Sequence, residues 1–174
     1  MLKIMSLEQQ INTHTIAVLV DNEAGVLARV IGLFSGRGYN IDSLTVAEVN
    51  QGEHMSRITI VTTATPQVMN QIKAQLERLV PVHRVVDLTV ETQSVERELA
   101  LVKVAGKGND RVEALRMSEA FRARVVDATP ESFVFEITGA TDKIDAFIGL
   151  MEPLGLQEVS RTGVAAIARG PEKM

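Results

Sequence analysis

The chain of 174 residues has no cysteine, which removes disulfides, thiolate nucleophiles and cysteine-ligated metals from consideration. Histidine is scarce too: His14, His54 and His83 show no metal-ligand spacing, and each lies at or near the start of an apolar run, where a solvated strand edge is the plain reading. Neither sign of charge dominates. The formal charge is -4 with Lys and Arg scattered, which argues against nucleic acid and against an anionic membrane surface. No apolar run reaches the roughly 20 residues of a membrane span, and the opening MLKIMSLEQQINTHT lacks the apolar core and cleavage site of a signal peptide. A cytoplasmic protein is expected. Nucleophile elbow, Walker loop and HExxH are all missing. GKGN at Gly106 to Asn109 has only part of a phosphate loop and is read as an ordinary turn.

Hydrophobic residues, in contrast, make up 45% of the chain, enough for one packed domain or two small ones. Their periodicity gives the order βαββαβ in the first half: strand 14–20, helix 25–37, strands 40–48 and 55–63, helix 66–79 and strand 82–91. Met69, Ile72, Leu76 and Leu79 stripe the second helix, and Pro66 suits its first turn. After a polar stretch at 92–97 the plan repeats without evident residue identity: strand 99–105, helix 110–123, strands 125–128 and 133–138, helix 142–151 and an end strand 157–168 interrupted by Gly163. The expected class is α+β, two ferredoxin-like βαββαβ domains at 14–92 and 97–170 after an extension over 1–13. Helices on one side of such a sheet leave its other face to be covered, and a homodimer is the economical cover.

Residues 21–44, DNEAGVLARVIGLFSGRGYNIDSL, join a polar turn, an amphipathic helix and a Gly-Tyr-Asn strand entry. Asn22 is the expected N-cap, with Leu27, Val30, Ile31 and Phe34 as the buried stripe. Gly36 and Gly38 stop the helix. Gly25, placed in the first turn, weakens the helix by up to about 1 kcal/mol relative to Ala. A helix start attracts a carboxylate, and the oxygens of Asp21, Asn22 and Glu23 suit an ammonium. Those are the two ends of a free amino acid. A plain cap with Gly25 relieving crowding fits the same pattern. Tyr39 is expected to pack at the strand entry, and Arg37 and Arg57 are expected to be solvated.

The run DNEAGVLARVIGLFSGRGYNIDSLTVAEV, with SRITIVT, ELALVKV and GVAAIARG further on, resembles the regulatory small subunits of acetohydroxyacid (acetolactate) synthase. The likeness spans about residues 14 to 170 and makes the first domain similar to ACT domains, which bind amino acids at subunit interfaces. The resemblance implies a noncatalytic chain without a cofactor of its own. Its partner is then a catalytic large subunit carrying thiamine diphosphate, magnesium and FAD. It also implies activation of that partner and feedback inhibition by valine in branched-chain amino acid synthesis, with a homodimer formed through the ACT domain. Carried onto the matching positions, Asn22, Ala24, Gly25, Val26 and Leu27 form one side of the valine site. Asn40 and Ile41 come from the facing protomer. The alternatives are a generic ACT-type sensor of another enzyme, a small enzyme, for which no acid/base constellation is visible, and an RNA-recognition module. The last needs stacking aromatics on the central strands, and segments 40–48 and 55–63 have none.

Overall fold

The computed structural model describes residues 10–50, 52–171 and 173–174. The chain divides into two units, one running to Val95 and including Ala166–Met174, the other Glu96–Ala165. Most of the expected extension lies outside the described residues, as does Gln51 of the turn between the middle strands. Asn12 and Thr13 already belong to the first strand.

In the first unit the order is β1 (Asn12–Asp21), α1 (Val26–Gly36), β2 (Ser43–Asn50), β3 (Met55–Ala64), α2 (Pro66–Leu76) and β4 (Val82–Asp87). The strands form one antiparallel sheet in the order β2-β3-β1-β4. Alternation on the two central strands sends Ile16, Val18, Val20, Ile58 and Ile60 to one face, where they meet Val26, Val30 and Phe34 of α1 and Met69, Ile72 and Leu76 of α2. Thr65 caps α2 by accepting from the Val68 amide, with Pro66 at the first helical position. α1 ends in a Schellman motif: Tyr39 N–H reaches Phe34 O at 3.0 Å and Gly38 N–H reaches Ser35 O at 3.2 Å, with Gly38 at φ +71°. Tyr39 then stacks edge-on to Phe34, ring centroids 6.3 Å apart.

Thr15, Ala17, Thr59 and Val61 occupy the alternate positions of β1 and β3 and are buried as well. The centre of the second face is therefore covered within the chain, while Ala47 of β2 on the same face is exposed. On that face Arg57 donates through Nη2 to the carbonyl of Ala166 at 2.8 Å, and Arg84 at the sheet edge donates to that of Lys173 at 3.0 Å. Arg57 is accordingly half-buried rather than solvated, and burial pulls its pKa down.

The second unit repeats the plan with β5 (Ser94–Val104), α3 (Asn109–Ala120), β6 (Arg124–Ala128), β7 (Phe133–Gly139), α4 (Thr141–Met151) and β8 (Leu156–Arg161), in the order β6-β7-β5-β8. A last strand, β9 (Ala165–Ala168), pairs with β5. Phe133, Phe135 and Ile137 face Ile144, Phe147 and Met151 of α4. The Gly106 turn is structural: a Cβ there would stand 2.6 Å from the carbonyl oxygen of Leu154. Glu98 is buried in this unit, held by Arg161 Nε at 2.5 Å and Thr141 Oγ1 at 3.1 Å. The Glu98 bond raises the Arg161 pKa more than burial lowers it.

Two stability measurements check this packing. Phe34→Ala removes a fully buried ring from the first core and is expected to cost about 3–5 kcal/mol in urea unfolding. Arg57→Leu leaves the Ala166 carbonyl without its charged donor and is expected to cost about 1–3 kcal/mol, whereas no change in midpoint would show that the tail bond contributes nothing.

Candidate functional site

The nominated residues sit in two turns at the two ends of α1. At the first, the Asp21 amide donates to Pro81 O at 2.9 Å and the Asn22 amide to His54 O at 2.6 Å, while the Asp21 carboxylate lies 2.6 Å from His83 Nε2. The chain is thus pinned on both sides before it turns. From Asn22 to Gly25 it is exposed.

Asn22 does not cap the helix. The cap position belongs to Gly25, at φ +86°, and no side chain bonds the helix start. The physical reason is local. A left-handed residue immediately before the first helical residue turns the chain abruptly, a conformation glycine adopts without steric cost. Gly25 thus precedes the helix, so the interior-helix penalty expected for it does not apply. The Val26 amide reaches only Glu23 O, at 3.4 Å, and the next amides have no side-chain acceptor. A Cβ built on Gly25 meets nothing within 4 Å. Crowding is not what requires glycine here; the backbone angle is, and the space before the helix is open.

Within the stripe, Val26, Val30 and Phe34 are buried, while Leu27 is 37% exposed and Ile31 is half-buried. Val26 therefore offers a ligand its backbone and not its side chain. Leu27 is the apolar side chain that faces outward beside the turn.

At the other end, Asn40 and Ile41 precede β2, which starts at Ser43 rather than at residue 40. Asn40 is exposed. Its side-chain amide donates to Asp42 and its carbonyl accepts from Thr62 Oγ1, the latter at 2.6 Å. Ile41 packs partly against the core. An 11-residue helix separates the two turns by about 16 Å. A single chain cannot bring Asn22 and Asn40 to one small ligand.

Chemically, the first turn offers free amides at the positive end of a helix next to the carboxylates of Asp21 and Glu23. Among the described residues there is no acidic or histidine cluster that could hold a metal, and no helix long and apolar enough to cross a membrane. The histidines depart from expectation in one case. His54 is exposed and His83 pairs with Asp21, but His14 is buried, with Nδ1 2.8 Å from Asp87 Oδ2. Its parity with Ile16 and Val18 was the sequence signal that it points to the helices.

Comparison with known proteins agrees with this architecture. Residues 16–84 match the family model described as an AHAS small subunit-like ACT domain, and residues 97–170 match the one described as the small subunit of acetolactate synthase. The chain is 46% identical over 160 residues to a probable acetolactate synthase small subunit of Archaeoglobus fulgidus, covering 92% of this chain and 99% of that one. It is 43% identical to the acetolactate synthase small subunit of Mycolicibacterium smegmatis, covering 91% and 92%. Among solved structures, the acetolactate synthase small subunit of Thermotoga maritima superposes with a TM-score of 0.81 at 37% identity, over 92% of this chain and 99% of that one. With both halves matched by their own models and relatives aligned almost end to end, the chain belongs to the family of acetolactate synthase small subunits.

Proposed function

We propose that this chain is the noncatalytic regulatory subunit of a thiamine-diphosphate-dependent acetolactate synthase, activating the catalytic large subunit and conferring feedback inhibition by valine. The observation that carries the reading is the helix start at Gly25: exposed, uncapped by any side chain, and open in front. Such a start receives a carboxylate through backbone amides, while Asp21 and Glu23 stand by for the ammonium. Leu27 supplies the nonpolar contact for a branched side chain.

The amino acid is held between two copies of the chain. Asn40 and Ile41 of one protomer face the Asn22 turn of the other, because one chain holds these residues at opposite helix ends. The basis for a homodimer is thus this separation, together with exposed Val46 (41%) and Val49 (54%) on β2 at the end of the sheet. Regulation follows by linkage. Valine favours one arrangement of the dimer, the catalytic subunit is more active with the other, and the same coupling free energy acts in both directions. A coupling of about 1–3 kcal/mol changes affinity roughly 5-fold to 150-fold.

Acetolactate formation by the catalytic subunit, with and without this chain and valine, tests the reading. Activation that valine reverses is expected; a folded chain with no effect on the rate would refute the assignment. Gly25→Asp places a carboxylate where the ligand's own would bind and is expected to raise the valine concentration for half-inhibition about tenfold or more, with activation retained. Gly25→Ala serves as its control, since space is open and only the backbone angle is strained, by about 1–2 kcal/mol.

A further inference from the structure

The outer surface of α1 and α2 carries charge that the chain does not balance. A depression of about 500 Å³ lies between the two helices, lined by Arg29, Leu33, Arg37, Gln75, Arg78 and Leu79. The leucines are half-buried and the arginines exposed. In the second unit Arg116, Arg124 and Arg161 each face a carboxylate. Arg29, Arg37 and Arg78 have no acidic partner among the described residues, so a chain of formal charge -4 shows a local cationic excess here.

Two residues of this surface act against the stability of α1 itself. The negative ends of the helix dipoles account for Arg37 and Arg78, which follow α1 and α2. Arg29 is in the opposite situation: it is the fourth residue of α1, near the positive end, where a cation is disfavoured. Gly32, in the middle of α1, weakens the helix relative to alanine. Its backbone is not left-handed, and an added Cβ meets nothing within 4 Å. Neither conformation nor packing within the chain asks for glycine there.

Opposite the buried Val30, Gly32 joins Ala28, Ser35 and Gly36 in an exposed crest nearly free of side chains. Such a crest lets another backbone approach closely, and Arg29 and Arg37 stand about 12 Å apart along its α2 side. Local choices that oppose a chain's own stability are characteristic of functional surface.

The charge selects the occupant. A two-fold contact with a second copy would set the patch against itself, arginine on arginine. Nucleic acid fits poorly, since no aromatic side chain lines the depression to stack a base. A small free anion has no use for the bare crest. An acidic protein surface uses both the three cations and the close approach.

We infer that this face of α1 and α2 docks an acidic surface of the catalytic large subunit, with carboxylates on Arg29, Arg37 and Arg78 and the partner's backbone lying on the crest at Gly32. The inference rests on the regulatory-subunit reading proposed above.

Surface plasmon resonance, with the full chain immobilised and the catalytic large subunit passed over it, tests the docking. The parent is expected to capture the large subunit less tightly as salt is raised. Arg29→Glu and Gly32→Leu are each expected to weaken capture about tenfold or more, the first by charge repulsion and the second by bulk on the crest. Both changes also favour the isolated helix, so the urea midpoint of each variant alone is expected to rise. Lys107→Glu, the same change of charge on an exposed turn of the second unit, is expected to leave capture unchanged. A parent that does not capture the large subunit overturns the partner reading and this inference together. A parent that does, with Arg29→Glu and Gly32→Leu captured as tightly, overturns the inference alone. Lowered midpoints in both variants, or a loss as large in Lys107→Glu, would also overturn it.

Discussion

The first unit depends on one strand being covered on both sides. β1 lies between β3 and β4, and from His14 to Ala17 successive side chains are buried on alternate faces. A one-residue slip would exchange the two sets, putting Thr15 and Ala17 against the helices and Ile16 and Val18 on the other face. Register is consequently fixed along its whole length, and the residues at its two ends are fixed with it. One end delivers the chain to the Asn22 turn and the other carries His14 to α2. The place of the candidate turn is a consequence of where this strand stops.

The proposed regulatory role suits such a scaffold. On the proposed reading, the helix start at Gly25 would work through backbone amides and a dipole, which ask for a chain direction rather than a particular side chain. Glycine makes the direction accessible, and the pins from Pro81 and His54 to the residues before it set the approach. No proton transfer or nucleophile is needed to hold an amino acid by its two charged ends.

Much of this was legible in the sequence, for reasons that can be located. Helices α2 and α4 have regular apolar stripes, and α2 has Thr65 and Pro66 at its start, so Met69, Ile72, Ile144 and Phe147 were placed correctly. The strand order followed from the repeated βαββαβ plan. Local capping chemistry misled at Asn22, because a propensity for caps does not reveal that Gly25 adopts a left-handed angle three residues later. Strand β4 ended at Asp87 rather than continuing to Glu91, since the Asp87 and Glu91 side chains bond the following and preceding backbone and form a turn. His14 was read from residue type, when its parity with Ile16 carried the better information. Nothing local announced the cover over the second sheet face. The Ala166 carbonyl that Arg57 holds there is more than a hundred positions away, a separation beyond any periodicity argument.

That cover gives the molecule an order of completion in time. The strands and helices of the first unit leave the ribosome early, yet the segment from Ala166 onward follows the 96–165 unit. At roughly 5–20 residues per second, Arg57 waits several seconds or more for its acceptor. Only when the chain has grown past Ala166 can Arg57 meet the carbonyl that it holds.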